Sequence, residues 1–264
     1  MKKNLPKISI ITPSLNQGKF IEATINSVLS QKYPHLEYLI IDGCSTDNTL
    51  NVLKKYTKHL IWISEKDNGQ SDAINKGLKK STGEIVTYLN ADDLLSPCAL
   101  WKVGEYFQSH KSTMWLTGRC RVIDEKGNTI RNFATFWKEF WIYTLLVNSD
   151  FMRKKILVIL NFISQPATFW RRELFLKAGF FDEGLRFVMD YDYWLRLYQL
   201  TQLDIIRDQL ALFRIHPESK TSKTYEKLVN ESVAVAKRYT RNKIVIALNY
   251  YHSFFAKLAF ACGL

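Results

Sequence analysis

Cysteine pairs, glycine-rich phosphate loops and long apolar runs are all missing from this chain of 264 residues. Its four cysteines, Cys44, Cys98, Cys120 and Cys262, lie far apart with no CxxC pair. That excludes a zinc ribbon and a disulfide framework, and it fits a reduced, cytoplasmic setting. No GxGxxG follows the first apolar run and no GxxxxGK[ST] occurs anywhere, which argues against a dinucleotide-dependent oxidoreductase and a P-loop nucleotidase. No run of eighteen uncharged apolar residues exists to span a bilayer, although the last twenty-one residues come close. The basic start "MKKNLPKISIITPSLNQ" has its apolar stretch broken by Thr12 and Pro13 and carries no small-residue cleavage site, so it reads as a first strand and not a signal peptide.

What is present is the composition of a folded protein, 47% hydrophobic and 23% charged, without low-complexity tracts or repeats. A net charge of +12 favours anionic partners: nucleic acid, phosphorylated small molecules or an acidic membrane surface. No platform of aromatics interleaved with Lys and Arg is visible, so a nucleic-acid partner is not expected.

Short β-branched and aromatic runs alternate with helix-period segments through the first ninety or so residues, the pattern of consecutive βαβ units. "KISIIT", "LEYLIID", "LIWIS" and "EIVTYL" read as strands, with "QGKFIEATINSVLSQ", "TDNTLNVLKKY" and "QSDAINKGLKKS" as the helices between them. Pro97 suits the first turn of a further helix, "PCALWKVGEYFQSH". The second half is mixed: a hairpin turning at Lys126, Gly127 and Asn128, a strand "QPATFW", a helix "MDYDYWLRLYQL", a last strand "QLALFRI", and helix from Ser219 onward.

In parallel α/β sheets ligands bind beyond the carboxyl ends of the strands. The polar loops "TPSLN", "DGCSTD", "EKDNGQSD" and "NADD" follow the four strands in turn, so they share one edge and one cleft. Each alone is ordinary turn and cap chemistry, and "STDNT" favours capping. Asp42 and Asp92 are different, because a carboxylate ending an apolar strand needs a partner, which a cation or a nucleobase N–H supplies. Asn90, Asp92 and Asp93 suit Mg²⁺ or Mn²⁺, which take one or two protein carboxylates and fill their remaining positions with water and phosphate.

Read together, "ISIITPSLNQGKFIEATINSVLSQ", "LIIDGCSTDNT", "SEKDNGQSDAINKGLKKSTGEIVTYLNADDLLSP" and "FDEGLRFVMDYDYWLRL" resemble the family 2 glycosyltransferases, especially bacterial members that build surface polysaccharides. The resemblance implies a GT-A-type, Rossmann-like, mostly parallel sheet flanked by helices. It implies a catalytic domain over residues 1–218, with an aromatic and basic helical insertion at about 134–163, and a C-terminal helical extension over 219–264. It implies inverting transfer of a sugar from a nucleotide-diphosphate sugar, UDP-linked by preference, to a glycan or lipid-linked acceptor hydroxyl, with Mn²⁺ or Mg²⁺ as cofactor. Thr12, Pro13, Ser14 and Asn16 would line the nucleotide and Asp42 would accept from its base. Asn90 stands where the family's DxD motif has its first Asp and Asp92 where it has its last, so Asp92 is the expected metal ligand, with Asn90 and Ala91 nearer the ribose or donor sugar. Ile74 replaces an Arg common among relatives, a loss for which Asp72 or Asn75 could compensate. Asp190 matches the second acid of the family's "ED" pair, with Met189 in place of the Glu, and is the expected base; Asp192 ranks second. His216 is a further metal or diphosphate ligand, and Gln165 approaches the acceptor side or is simply a satisfied amide. The departure at Asn90 keeps open a catalytically silent relative that acts as an assembly partner.

Residues 244–264 place Asn249, Ser253 and Lys257 four apart, giving a helix a narrow polar stripe and a wide apolar remainder. With Lys237, Arg238, Arg241 and Lys243 before it, this helix either lies on an anionic membrane surface at the cytoplasmic face or packs on the catalytic domain or a second subunit.

Overall fold

The computed structural model describes residues 4–130, 149–217 and 225–261, with side chains from 226 to 254 in the last stretch. Residues 131–148 of the expected insertion, Ser219, Cys262 and the Lys257 side chain lie outside it.

Strands β1 (Ile8–Ser14), β2 (Leu36–Asp42), β3 (Ile61–Ser64) and β4 (Ile85–Tyr88) alternate with helices α1 (Ile21–Leu29), α2 (Thr49–Lys55) and α3 (Gln70–Lys80). The chain continues through β5 (Leu94–Leu95), α4 (Ala99–Ser109), β6 (Trp115–Ile123), α5 (Asp150–Ile159), a 3₁₀ turn (Gln165–Ala167), β7 (Thr168–Arg171), α6 (Arg172–Ala178), α7 (Met189–Leu200), β8 (Asp204–Arg214), α8 (Tyr225–Tyr239) and α9 (Lys243–Ala261). The eight strands form one sheet in the order β3-β2-β1-β4-β7-β6-β8-β5. Pairing is parallel across β3, β2, β1 and β4 and again between β6 and β8, and antiparallel at β4–β7, β7–β6 and β5–β8. Two reversals, at β7 and then β6, return β6 and β8 to the direction of β4. The ends of β1, β2, β3, β4, β6 and β8 therefore open on one edge, and the strand order reverses between β1 and β4, where a ligand crevice is expected.

Alternation along β1 sends Ile8 and Ile10 to the core beneath α1, α2 and α4, and Ile11 to the core beneath α3, α6 and α7. Both layers are apolar because a parallel sheet is covered on both faces. Ile74 is fully buried in the second core, so the position that carries Arg in relatives serves packing here. At the opposite edge Glu37 of β2 accepts from Lys7 Nζ (2.7 Å), Ser9 Oγ (2.5 Å), Thr82 Oγ1 (2.6 Å) and Thr82 N (2.7 Å), binding the starts of three strands together.

Several expectations need correction. Pro97 lies before the helix and not in its first turn, because Cys98 takes the left-handed conformation (φ 61°) at the cap and α4 begins at Ala99. The turn at Lys126–Asn128 forms, and among the described residues its return arm meets β6 through the Ile123–Thr129 bridge and the bond from Ile130 N to Val122 O (2.9 Å), while β6 pairs along its length with β7 and β8. "QPA" is a 3₁₀ turn, since Pro166 has no N–H for a ladder, and the strand starts at Thr168. The expected helical tail is present as two helices, α8 and α9.

Burial pushes the Glu37 carboxyl up, but hydrogen bonds from Lys7, Ser9 and Thr82 outweigh it and bring its pKa from 4.5 down to about 2. A carboxyl depressed by folding contributes stability that is present above its unfolded pKa and lost as pH falls toward the folded one. Glu37→Gln is expected to lower stability by about 1–3 kcal/mol at neutral pH. The difference from wild type should shrink between pH 4.5 and about 2, as read by urea titration at each pH.

Candidate functional site

The loops after β1 and β2 close on each other. Gly43 N donates to Ser14 O (2.8 Å), Asn16 N to Ser45 Oγ (2.7 Å), Thr46 N to Asn16 Oδ1 (2.8 Å) and Gly18 N to Asp47 Oδ2 (2.9 Å). Asp47 also accepts from Thr49 N, so "STDNT" has the capping role. Asn16 and Cys44 take left-handed backbone at φ 53° and 64°. A Cβ on Gly43 would meet Asp67 Oδ2 at 2.5 Å, so a larger residue here would require the Asp67 side chain to move aside.

Thr12, Pro13 and Ser14 all lie within β1. Thr12 is fully buried against Tyr38 Oη (3.1 Å), whereas the buried Ser14 Oγ has no hydrogen-bond partner. Asp42 is also fully buried, and its oxygens accept from Ser45 N (2.9 Å), Ser45 Oγ (2.5 Å) and Ser64 Oγ (2.7 Å). A ligand reaches that carboxylate only if the Ser45 turn moves. Asp72, in the first turn of α3, accepts from Asn68 N (2.9 Å) and faces Lys76 Nζ at 3.5 Å.

The loop "NADD" after β4 is bound from three sides. The Thr24 hydroxyl of α1 lies 2.7 Å from Ala91 O and 2.8 Å from Asp93 O. The Asn90 amide accepts from Gln70 Nε2 (2.7 Å) and donates to Asp93 Oδ2 (3.1 Å) and Gln165 Oε1 (3.3 Å). Gln165 Nε2 in turn donates to Tyr88 O (2.7 Å), so its amide is satisfied inside the protein, as its position before a strand allows. Arg214, ending β8, donates from its backbone N to Asp93 Oδ1 (2.9 Å), from Nε to Asp92 O (2.9 Å), and from Nη1 to Asp124 O (3.1 Å) and Glu125 O (2.9 Å). Burial, then the charge of Asp92, pushes the Asp93 carboxyl well above the usual range, against the pull of Arg214 and Asn90.

Asp92 is the part of the cluster that remains reachable, with 22% of its side chain exposed. Its Oδ2 lies 3.1 Å from His216 Nε2, across 124 residues of chain. The His216 ring is seated on Phe20, centroids 4.5 Å apart, and Arg214 lies over the same ring. Lys19 and Glu125 pair at the rim. Among the described residues no group of three or more His, Cys, Asp or Glu assembles. Asp92 and His216 thus present one carboxylate oxygen and one imidazole nitrogen, of which the carboxylate is the donor type that hard cations such as Mn²⁺ or Mg²⁺ take.

Asp190 and Asp192 diverge as neighbours two apart on a helix should. Asp190, in the first turn of α7, accepts from Tyr191 N (2.8 Å), with Asn161 Nδ2 at 3.5 Å, and its charge is felt by Tyr88 at the end of β4. Asp192 is buried and paired with Arg196 Nε (3.0 Å) and Arg238 Nη1 (3.2 Å), which makes it a structural acid. The N–H groups before α7 are capped from a distance, because Glu231 of α8 accepts from Arg186 N (2.9 Å), Phe187 N (2.7 Å) and Val188 N (3.2 Å).

Thr24, Phe20, Gln70, Arg214 and Glu231 are additions to this edge that no motif announces. Their partners lie from 20 residues away, for Gln70 and Asn90, to 196, for Phe20 and His216, and no local spacing records that.

The pattern described as "Glycosyl transferase family 2" matches residues 9–177. The putative teichuronic acid biosynthesis glycosyltransferase TuaG of Bacillus subtilis is 37% identical over 118 residues, 43% of this chain and 46% of that protein, so the match spans under half of that relative. An uncharacterized glycosyltransferase of Rickettsia prowazekii is 22% identical over 98% of this chain and 81% of its own. Among solved structures, S. aureus TarS 1-349 in complex with UDP-GlcNAc superposes with a TM-score of 0.70 at 20% identity, covering 92% of this chain and 69% of that one. The mannosyltransferase PcManGT of Pyrobaculum calidifontis in complex with GDP-Man and Mn²⁺ gives 0.70 at 17% identity, covering 98% and 74%. Both share this fold, a sheet flanked by helices with further helices at the C-terminal end.

Arg214→Met strips the half-buried carbonyls of Asp92, Asp124 and Glu125 of their donor and is expected to cost about 1–3 kcal/mol. Asp92→Ala, at a partly exposed position, should cost about 1 kcal/mol or less. Urea unfolding of both variants by circular dichroism makes the comparison.

Proposed function

The chain belongs to glycosyl transferase family 2, matched over residues 9–177, and on that premise we propose that it transfers a sugar from a nucleotide-diphosphate sugar to an acceptor hydroxyl, with inversion at the anomeric carbon. The donor is UDP-linked by preference and the acceptor is a glycan or lipid-linked saccharide of a cell-surface polysaccharide. The observation that carries the reading is the meeting of Asp92 and His216, 3.1 Å apart, beside the point where the strand order reverses. Two loops far apart in sequence bring a carboxylate and an imidazole together there, and Ser14 Oγ, ending the adjacent strand, is buried without a hydrogen-bond partner, which supports a ligand at this edge. The TarS structure with UDP-GlcNAc and the PcManGT structure with GDP-Man and Mn²⁺ support a nucleotide sugar with a cation on this fold.

Asp92 and His216 would hold the cation, which when bound supplies positive charge to the departing diphosphate. The remaining work falls to side chains of this chain. Ser14 and Asn16 meet the nucleotide at the end of β1, and Asp42, behind the Ser45 turn, braces the floor of its pocket or receives the base when that turn opens. Asn90 and Ala91, held by Gln70 and Thr24, keep the donor-sugar side of the loop rigid. Asp190 takes the acceptor proton from the face opposite the leaving group, as inversion requires. The Tyr191 N–H and the Asn161 amide set its orientation, and Glu231 holds the turn that presents it.

Calorimetric titration with UDP-, GDP- and dTDP-sugars, with and without Mn²⁺, tests the site. Asp92→Ala is expected to remove the Mn²⁺-dependent part of donor binding; unchanged metal-dependent binding would end the assignment. Asp190→Asn is expected to keep donor binding and lose about 10²–10⁴-fold in transfer rate. An active Asp190→Asn enzyme would count against the base.

A further inference from the structure

The last helix is mounted inside out. A helix that packs on a soluble domain turns its apolar side inward and its polar side to water. In α9 the polar stripe is the buried one. Asn249, 1% exposed, donates to Val158 O (3.1 Å), Ile159 O (3.3 Å) and Tyr191 Oη (3.3 Å) and accepts from Ser232 Oγ (3.2 Å). Ser253, also buried, meets Ser232 Oγ at 3.4 Å. With that stripe fixed, the helical period drives the opposite face outward: Ile244, Leu248 and Tyr251, at i, i+4 and i+7, are 71%, 46% and 57% exposed, with Tyr250 and Phe254 beside them. On α5, the helix that receives Asn249, Phe151 is 65% exposed under the Lys155 ammonium, 4.1 Å from its ring.

A contiguous apolar face of this kind marks an interaction surface, and charge selects what meets it. From Ser232 to Leu264 the sequence holds no Asp or Glu. Arg238 is consumed by Asp182 and Asp192, but Lys237, Arg241 and Lys243 are exposed at the start of the helix. A second copy would bring the same basic rim and the same +12 charge against this one, which like-charge repulsion opposes. An anionic lipid surface complements both features, taking the apolar side chains below its headgroups and the bases among them. Among the described residues no helix is long and apolar enough to cross a membrane, so the geometry is that of a helix lying on one.

We propose that the outward face of α9, centred on Ile244, Leu248 and Tyr251 and flanked by Arg241 and Lys243, docks this protein onto an anionic bilayer surface while Asn249 and Ser253 lock the same helix to the catalytic domain. The surface is independent of the transfer reading and stands or falls separately from it.

The test is cosedimentation of the full chain with phosphatidylcholine vesicles that contain phosphatidylglycerol, against phosphatidylcholine alone. Wild type is expected to bind the anionic vesicles at low salt and to be weakened at high salt. The triple variant Ile244→Ser, Leu248→Ser, Tyr251→Ser is expected to lose about tenfold or more in partitioning, with thermal unfolding and donor binding unchanged. Arg241→Gln with Lys243→Gln is expected to remove part of the salt-sensitive component. Three results would overturn the proposal: wild type remaining in the supernatant with anionic vesicles, the triple variant binding undiminished, or sedimentation velocity showing a dimer that the triple variant dissolves.

Discussion

The cleft depends on one carboxyl group with no exposed surface. Asp93, fully buried after β4, must find its partners inside the protein, and it draws them from three directions: the Arg214 backbone N–H from β8, the Asn90 amide from its own loop, and Thr24 of α1 on its carbonyl. Burying an unpaired carboxyl is costly enough that the loop has little freedom to rearrange. Satisfying Asp93 therefore fixes Asp92, the next residue back, at the one orientation that leaves it half open toward His216.

The same constraint accounts for the amide at position 90. A carboxylate there could not donate an N–H to Asp93 and would add negative charge beside a buried carboxyl that burial and Asp92 already push upward. Asn90 can accept from Gln70 and donate to Asp93 at once, so the departure from an acidic DxD is a local solution to hydrogen bonding. Similar residues thus stand in different surroundings: Asp93, Asn90, Asp47 and Asp192 are tied into the frame by their hydrogen bonds, while Asp92 and Asp190 are half-buried.

Much of this frame is legible in the order of residues alone. The four parallel strands, the helices between them and the shared edge of their loops follow from period-2 and helical-period runs with polar punctuation, and these are local signals. β5 has two residues and no period to read, and α6 is a short helix begun by Arg172 and Glu173 directly at the end of a strand. Nor does spacing say which way a polar stripe points. The Asn249 and Ser253 pattern is visible in the sequence, but its inward orientation depends on the carbonyls at the end of α5, about ninety positions earlier. Arg214 and Phe20 escape sequence reading for the same reason, since their importance is a matter of who meets whom across the sheet.

Glu231 carries one further consequence. Its carboxylate closes the amides that precede α7, and it reaches them from a helix encoded more than forty positions downstream. A chain emerging from the ribosome has β1 to β4 and α7 behind it before that acid is translated, so the amides ahead of α7 wait for their acceptor until after β8 has been made. Loss of everything from α8 onward would keep every described strand of the sheet and leave those three amides without the carboxylate that closes them.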